Sequence, residues 1–365
     1  MSLSHSSSVV TNGLVFYYDM NNSQKSWKGK PTTNFVTNPT EEMARGEFGQ
    51  YRDLAPAFDA NGLVPYSLSM DIKTNIPGSV LVYMQNGSSS KYGFVGANVT
   101  CTTQYQRFTF NNITPSLTGD GSTAATLATY TGYGSGVNPT VKNIQLELGS
   151  FATPFVNGTR SNTQTVLDML GLNTITANSL TYNSDNTFSF DYASASNIRV
   201  PLAFSLNKVE GTMNFWVYPT RYNGGNGYFV NREDSTANAL DWLWIGPYSD
   251  TFYFRIGNGV DCCSNDLSFS SVATVIPINT WTNMCFTWKS NGTSVIYKNG
   301  VVIASRSIGA IPTTNPASNG TIGLGHNNAD HYFHGKMPMV QIYNRQLSST
   351  EVKQNFNAQR GRYSI

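Results

Sequence analysis

Between residues 281 and 360, apolar and polar positions alternate in short runs. Met284, Phe286 and Trp288 fall on one side of an extended segment, with Cys285 and Thr287 on the other; Val295 and Tyr297 flank Ile296 in the same way. A period of two marks a strand with two distinct faces. Asn299-Gly300 then separates this run from the apolar residues 301–303. That dipeptide suits a two-residue hairpin turn, in which both central φ angles are positive. Hairpins in succession predict a β-sandwich rather than a helix bundle.

The same pattern recurs upstream. Residues 13–20 (GLVFYYDM) form a dense apolar and aromatic run, as expected of a buried strand. Tyr66, Leu68, Met70 and Ile72 alternate strictly with Ser67, Ser69 and Asp71, and shorter runs follow at 78–83, 105–110 and 141–147. Further strands are predicted at 211–219, where Pro219 ends the run, and at 228–230, 242–246 and 252–256. Only one helix is predicted. Ser348 with Glu351 forms a capping box, Val352 and Phe356 follow one turn apart, and Gly361 stands just beyond the end. It is expected to pack across a sheet edge.

Composition narrows the function. Charged residues make up 12% of the 365-residue chain and the net charge is +2, too little for a concentrated basic surface that captures nucleic acid. No run approaches the ~20 apolar residues of a membrane-spanning helix. Residues 1–20 lack a basic segment followed by an apolar one, so no secretory signal is expected. The four cysteines, Cys101, Cys262, Cys263 and Cys285, have no zinc-binding spacing. They read as free thiols, with a disulfide from Cys262 or Cys263 to Cys285 as the alternative in an oxidising setting.

Several phrases resemble known families. Thr280-Trp281, residues 297–305, Ile322-Gly323, residues 333–337 and residues 342–352 resemble, in order and spacing, the laminin-G-like/concanavalin-A-like jelly roll. Residues 13–20 are similar to the opening strand of such domains in phage proteins. The next family landmark, an F-x-F-D strand, does not arrive until Phe188 to Asp191. The intervening chain resembles a second type of domain. Asn34-Phe35-Val36, Asn38-Pro39, residues 105–110 and residues 141–160 are similar to carbohydrate-binding-module-like jelly rolls of phage tail and virion proteins. The resemblance implies an all-β fold with two antiparallel β-sandwich domains and one short C-terminal helix. In this reading, residues 1–31 and 158–365 form a discontinuous laminin-G-like sandwich, interrupted by an inserted module at 32–157; two consecutive domains, 1–157 and 158–365, are the alternative.

Candidate chemistry is sparse. Glucanases of the concanavalin-like fold carry two glutamates flanking an aspartate on one strand, because retaining hydrolysis needs carboxyls ~5–5.5 Å apart. No such triplet occurs; Glu233-Asp234 are adjacent, and Glu147 and Glu210 stand alone. The histidines, His5, His326, His331 and His334, accompany no nucleophile elbow. His326, Asp330, His331 and His334 form either a metal or sugar site or a polar loop beside a sheet edge. Calcium is the cofactor such jelly rolls often hold at a loop rim, but among Asp19, Asp191, Asp234, Asp241 and Asp261 no ordered ligand pattern appears. Sugar binding needs flat aromatic faces with polar partners. The candidates are Trp242, Trp244 and Tyr248, with Asp330 and His331, in the second sandwich, and Tyr130 and Tyr133 in the Gly-rich stretch TYTGYGSG. Trp242 and Trp244 share one strand face and are both buried or both open; Trp216, Trp281 and Trp288 read as core.

The resemblance implies a non-enzymatic virion component, assembled in the host cytoplasm and exposed on the particle as a head decoration, neck or tail appendage. Its expected partners are other virion proteins, further copies of itself and cell-surface glycans, with neither nucleic acid nor membrane insertion. A carbohydrate-active hydrolase or a secreted lectin carrying a carbohydrate-binding module is the alternative.

Overall fold

The strand Leu14–Asp19 lies antiparallel beside the strand Gly335–Tyr343, so the two ends of the chain meet inside one sheet. The computed structural model describes residues 8–84, 91–117, 124–183, 187–200, 209–222, 227–230, 243–257, 265–311, 320–324 and 332–365. The chain divides into two units, Met1–Gly29 with Asn162–Ile365, and Lys30–Ser161.

In the first unit a six-stranded sheet runs in the order Leu14–Asp19, Gly335–Tyr343, Glu210–Pro219, Thr282–Lys289, Thr293–Lys298, Val301–Ser307. A seven-stranded sheet faces it, with Leu243–Tyr248 and Thr251–Ile256 near one edge. The alternation predicted from sequence sets the faces. Phe16, Tyr18, Met213, Phe215, Met284, Phe286, Trp288, Val340 and Ile342 point into one core with Ile198, Ile245, Phe252 and Phe254. Phe286 touches Phe215, Phe252 and Phe254 at centroid distances of 5.6, 5.7 and 5.4 Å. Each such pair adds about 0.5–1.5 kcal/mol beyond its buried area. The predicted hairpin turn is present, with φ of 50° at Asn299 and 75° at Gly300.

The opposite face of the six-stranded sheet is covered too. Helix Ser349–Gln359 begins at the predicted capping box: Ser348 Oγ accepts from Glu351 N–H at 3.3 Å, and Glu351 Oε2 accepts from Ser348 N–H at 2.9 Å. It lies on the sheet's face rather than across its edge. Phe356 stacks on Trp216, in the sheet interior, with centroids 5.9 Å apart. Strand periodicity explains the difference, because Trp216, Gln341 and Tyr343 point away from the main core and require a cover of their own. Buried amides complete it: Gln359 accepts from Trp216 Nε1 at 3.0 Å and donates to Gln341 at 3.1 Å, which also accepts from Asn214 at 2.8 Å. Past the helix, Gly361 belongs to a further 3₁₀ turn, Arg360–Tyr363.

In Lys30–Ser161 a five-stranded sheet (Phe48–Asp53, Thr126–Tyr130, Gly78–Met84, Tyr92–Cys101, Ser116–Leu117) packs on a four-stranded one (Met43–Ala44, Pro139–Leu148, Tyr66–Thr74, Gln106–Ile113). Leu68, Met70, Ile72, Val80, Val82, Leu127 and Val141 fill its core. Its ends pair as a short ribbon, Thr32 with Arg160 and Thr33 with Thr159. Buried Glu147 ties the ribbon to the sandwich, accepting from Thr32 Oγ1 at 2.7 Å, Thr153 N–H at 2.6 Å and Gln145 Nε2 at 2.7 Å. Within the first unit the flanking chain is closed by Lys28 N–H to Thr165 O at 2.9 Å.

Two outcomes are expected. Residues 30–161 expressed alone unfold cooperatively, and the chain with that segment replaced by a short Gly-Ser linker keeps its own cooperative transition; thermal melts of both pieces check this. Gly211→Ala places a Cβ 2.3 Å from the Trp288 ring and destabilises by about 1–3 kcal/mol in urea titration.

Candidate functional site

The outer face of the five-stranded sheet carries an aromatic platform. Along Gly78–Met84, Val80, Val82 and Met84 enter the core, so Leu81 and Tyr83 face outward. Tyr130 sits opposite Phe48 on one neighbouring strand and Leu81 on the other, and Ala128 sits opposite Tyr83. Paired residues share a face. Phe48, Leu81, Tyr83 and Tyr130 therefore lie together, none of them buried.

The loop after Tyr130 completes the surface. Gly132, Gly134 and Gly136 have φ of 90°, 80° and 68°, a region that side chains with a Cβ enter at a cost. Glu47 clamps the loop: its Oε2 accepts from Gly134 N–H at 2.7 Å and its Oε1 from Gly136 N–H at 2.6 Å. These two bonds hold the Glu47 carboxyl below its ordinary value. Tyr130 Oη accepts from Tyr133 N–H at 3.3 Å. Tyr133 is left 83% exposed, its ring edge-on to Tyr130 with centroids 5.5 Å apart. The Tyr83 phenol is raised above its usual value by burial first, then by Tyr133 and Tyr130, which places the three phenols in one neighbourhood. Exposed rings with hydroxyls at their margins can stack on an apolar sugar face while hydrogen-bonding its rim.

Other sequence candidates fare differently. Trp244 is 3% exposed, packed against Tyr253 at 6.0 Å and under Arg255 at 5.1 Å; its face is taken by these neighbours and offers no sugar platform. Tyr248 is 55% exposed at the tip of the hairpin that ends at Thr251. Trp242, Asp330 and His331 lie outside the described residues, as do His326, Cys262, Cys263, Asp234, Asp241 and Asp261. His334 is half-buried between Thr220 Oγ1 at 2.5 Å and Asp191 at 3.5 Å. Burial, with Arg221 nearby, lowers its pKa against the opposing pull of Asp191.

Among the described residues no group of three or more His, Cys, Asp or Glu side chains could hold a metal ion. Asp19, a calcium candidate, is committed to protein donors: Tyr17 Oη at 3.1 Å, Asn21 N–H at 2.9 Å and Arg362. Cys285 and Cys101 are free and buried, and burial raises both thiols, Cys101 to about 11. The lone glutamates are likewise engaged, Glu147 in the closure described above and Glu210 with Lys289 at 2.9 Å. Among the described residues no helix is long and apolar enough to cross a membrane.

Sequence reading misplaced Trp281. It precedes a core strand and was expected in the core, yet it is half-buried and lines a small pocket. Phe48 and Tyr83 were also missed, because only cross-strand register brings them to Tyr130.

Residues 189–353 match a laminin-G-type family model described as the Concanavalin A-like lectin/glucanases superfamily. This segment forms the jelly roll that the sequence resemblance implied, in an antiparallel, predominantly β chain with a short C-terminal helix. No curated protein matches the chain. Among solved structures it is similar to the binding domain of Paraclostridial Mosquitocidal Protein 1, with 19% identity over 53% of this chain and 49% of that one, at a TM-score of 0.42. It is also similar to the binding domain of botulinum neurotoxin DC, solved in complex with rat synaptotagmin II, with 17% identity over 54% and 50% of the two chains, at a TM-score of 0.43. A third is the botulinum neurotoxin serotype C1 binding domain, with 17% identity over 54% and 50%, at a TM-score of 0.42. The chain spans about half the length of each.

The Glu47 clamp makes the loop pH-sensitive. A carboxylate depressed in the folded state contributes its anchoring above its unfolded pKa and loses it as pH falls through the lower folded value. The Gly134 and Gly136 amide resonances are therefore expected to hold steady at neutral pH and shift only below the ordinary glutamate value of 4.5. Glu47→Gln abolishes that titration.

Proposed function

We propose that this chain is a non-enzymatic component exposed on a bacteriophage particle, as a head decoration, neck or tail appendage, and that its inserted carbohydrate-module-like unit adheres to host-surface glycans. The observation that carries the adhesive part is the open aromatic surface of Tyr130, Tyr133, Phe48 and Tyr83, with a loop pinned by Glu47 beside it. Preorganisation matters here because a ring already held in its binding orientation loses little freedom when a ligand arrives.

The particle assignment rests on the resemblance of residues 13–20, 141–160 and 342–352 to virion proteins. It fits a sparsely charged surface rich in short polar side chains. A shallow platform gives weak single contacts, and copies displayed together on a particle raise avidity without new contacts. Symmetric self-association and contact with other virion proteins follow from that placement. The hydrolase alternative gains nothing from Glu147 or Glu210, whose oxygens are engaged by their own neighbours.

Glycan-array binding by the whole chain is expected to weaken by up to about tenfold in Tyr133→Ala, since an aromatic contact is worth roughly 0.5–1.5 kcal/mol. The melting temperature should stay unchanged, because that ring is exposed. Unchanged glycan binding in Tyr133→Ala and Tyr130→Ala would remove the platform from the proposal. Cryo-electron microscopy of particles assembled with and without the chain tests the virion assignment; particles that lack it, together with polysaccharide cleavage by the purified chain, would overturn that part.

A further inference from the structure

The unit formed by Met1–Gly29 and Asn162–Ile365 carries a pocket of its own. It encloses about 180 Å³, and its lining combines Phe188, Trp281 and Tyr363 with Asn21, Lys336 and Arg362. Enclosing sites for drug-sized ligands run to ~300–1,000 Å³, so this one admits a single ring or a chain end.

Its parts are held in place. Tyr363 stacks on buried Trp216 with centroids 4.1 Å apart and planes inclined by 22°, and Trp281 packs on Tyr363 at 4.8 Å. Arg362 is tethered by Asp19, which is 2% exposed and fixed in turn by Tyr17 Oη and Asn21 N–H. That ion pair engages Nη1. The rest of the guanidinium fork, on a side chain 43% exposed, matches a planar carboxylate in geometry. Among the described lining residues two are cationic and none is acidic.

We propose that this pocket takes the carboxylate-bearing ring of an acidic sugar, with the carboxylate at Arg362 and Lys336 and the ring against Trp281. Aromatic lining beside a fork-shaped cation favours such a ring over a phosphate, which offers no apolar face. The site uses none of the side chains of the Tyr130–Tyr133 platform and stands or falls apart from it.

The test uses the full chain carrying Tyr133→Ala, which weakens the platform, so that a change on Lys336→Gln in this background reports on the pocket. N-acetylneuraminic acid and glucuronic acid are titrated against their methyl esters and against acetate, with tryptophan fluorescence and calorimetry as readouts. Both acids should bind, the esters at least tenfold more weakly, and added salt should weaken the acids selectively. Lys336→Gln is expected to cost at least fivefold and Arg362→Gln at least tenfold. Because Arg362→Gln also strips the partner from buried Asp19, its melting temperature is checked and Lys336→Gln is the deciding variant. Absence of binding by either acid at millimolar concentration, esters as tight as acids, acetate competing as strongly as the sugars, or unchanged affinity in Lys336→Gln would each overturn the assignment.

Discussion

The pairing of Leu14–Asp19 with Gly335–Tyr343 is the constraint on which the first unit depends. Five pairs, from Leu14 with Tyr343 to Asp19 with Met339, fix which residues face which way. Phe16 and Tyr18 thereby enter the main core, while Tyr17 joins the second layer with Trp216 and Phe356. The strand's other side is occupied as well: Met169 N–H donates to Tyr17 O at 2.7 Å, and Asp168 accepts from Tyr17 N–H at 3.1 Å. Asp19, at the strand's end, tethers the C-terminal Arg362. A slip of one residue would exchange the two layers and break every one of these contacts.

Most of the fold could be read from local pattern. Alternation at 284–288 and 66–72, the Asn299-Gly300 turn and the Ser348–Glu351 box are short-range signals, and each specifies its own conformation. The resting place of the C-terminal helix could not be read in this way. It depends on the outward residues Asn214, Trp216 and Gln341 being buried, and amides on a strand look in sequence like a solvated face. A polar residue is compatible with burial once another amide meets it.

The site was half legible for the same reason. Tyr130 and Tyr133 are neighbours in a Gly-rich stretch, so their proximity needs no tertiary information. Phe48 and Tyr83 reach them through strand register, and Trp281 leaves the core because Tyr218 and Tyr363, remote in sequence, pack beside it at 5.1 and 4.8 Å. Trp244 shows the converse: an aromatic in a promising context whose face is taken by Arg255 and Tyr253. An aromatic residue becomes a platform only where its neighbours leave a face open, and that is a tertiary property.

The ribbon of Thr32–Thr33 with Thr159–Arg160 has a consequence for biogenesis. Every described strand of the Lys30–Ser161 sheets pairs within that segment, so this unit has these partners before residues 335–343 are made. The strand LVFYYD is made earlier still, yet its partner at 335–343 follows some 320 residues later, as the pairing of Asp19 with Met339 shows. Pairings so distant close slowly because chain entropy is lost before contacts repay it. The emerging polypeptide thus carries a finished domain beside an unsheltered apolar strand, and that waiting strand is the point at which a nascent chain is most exposed to mispairing with its neighbours.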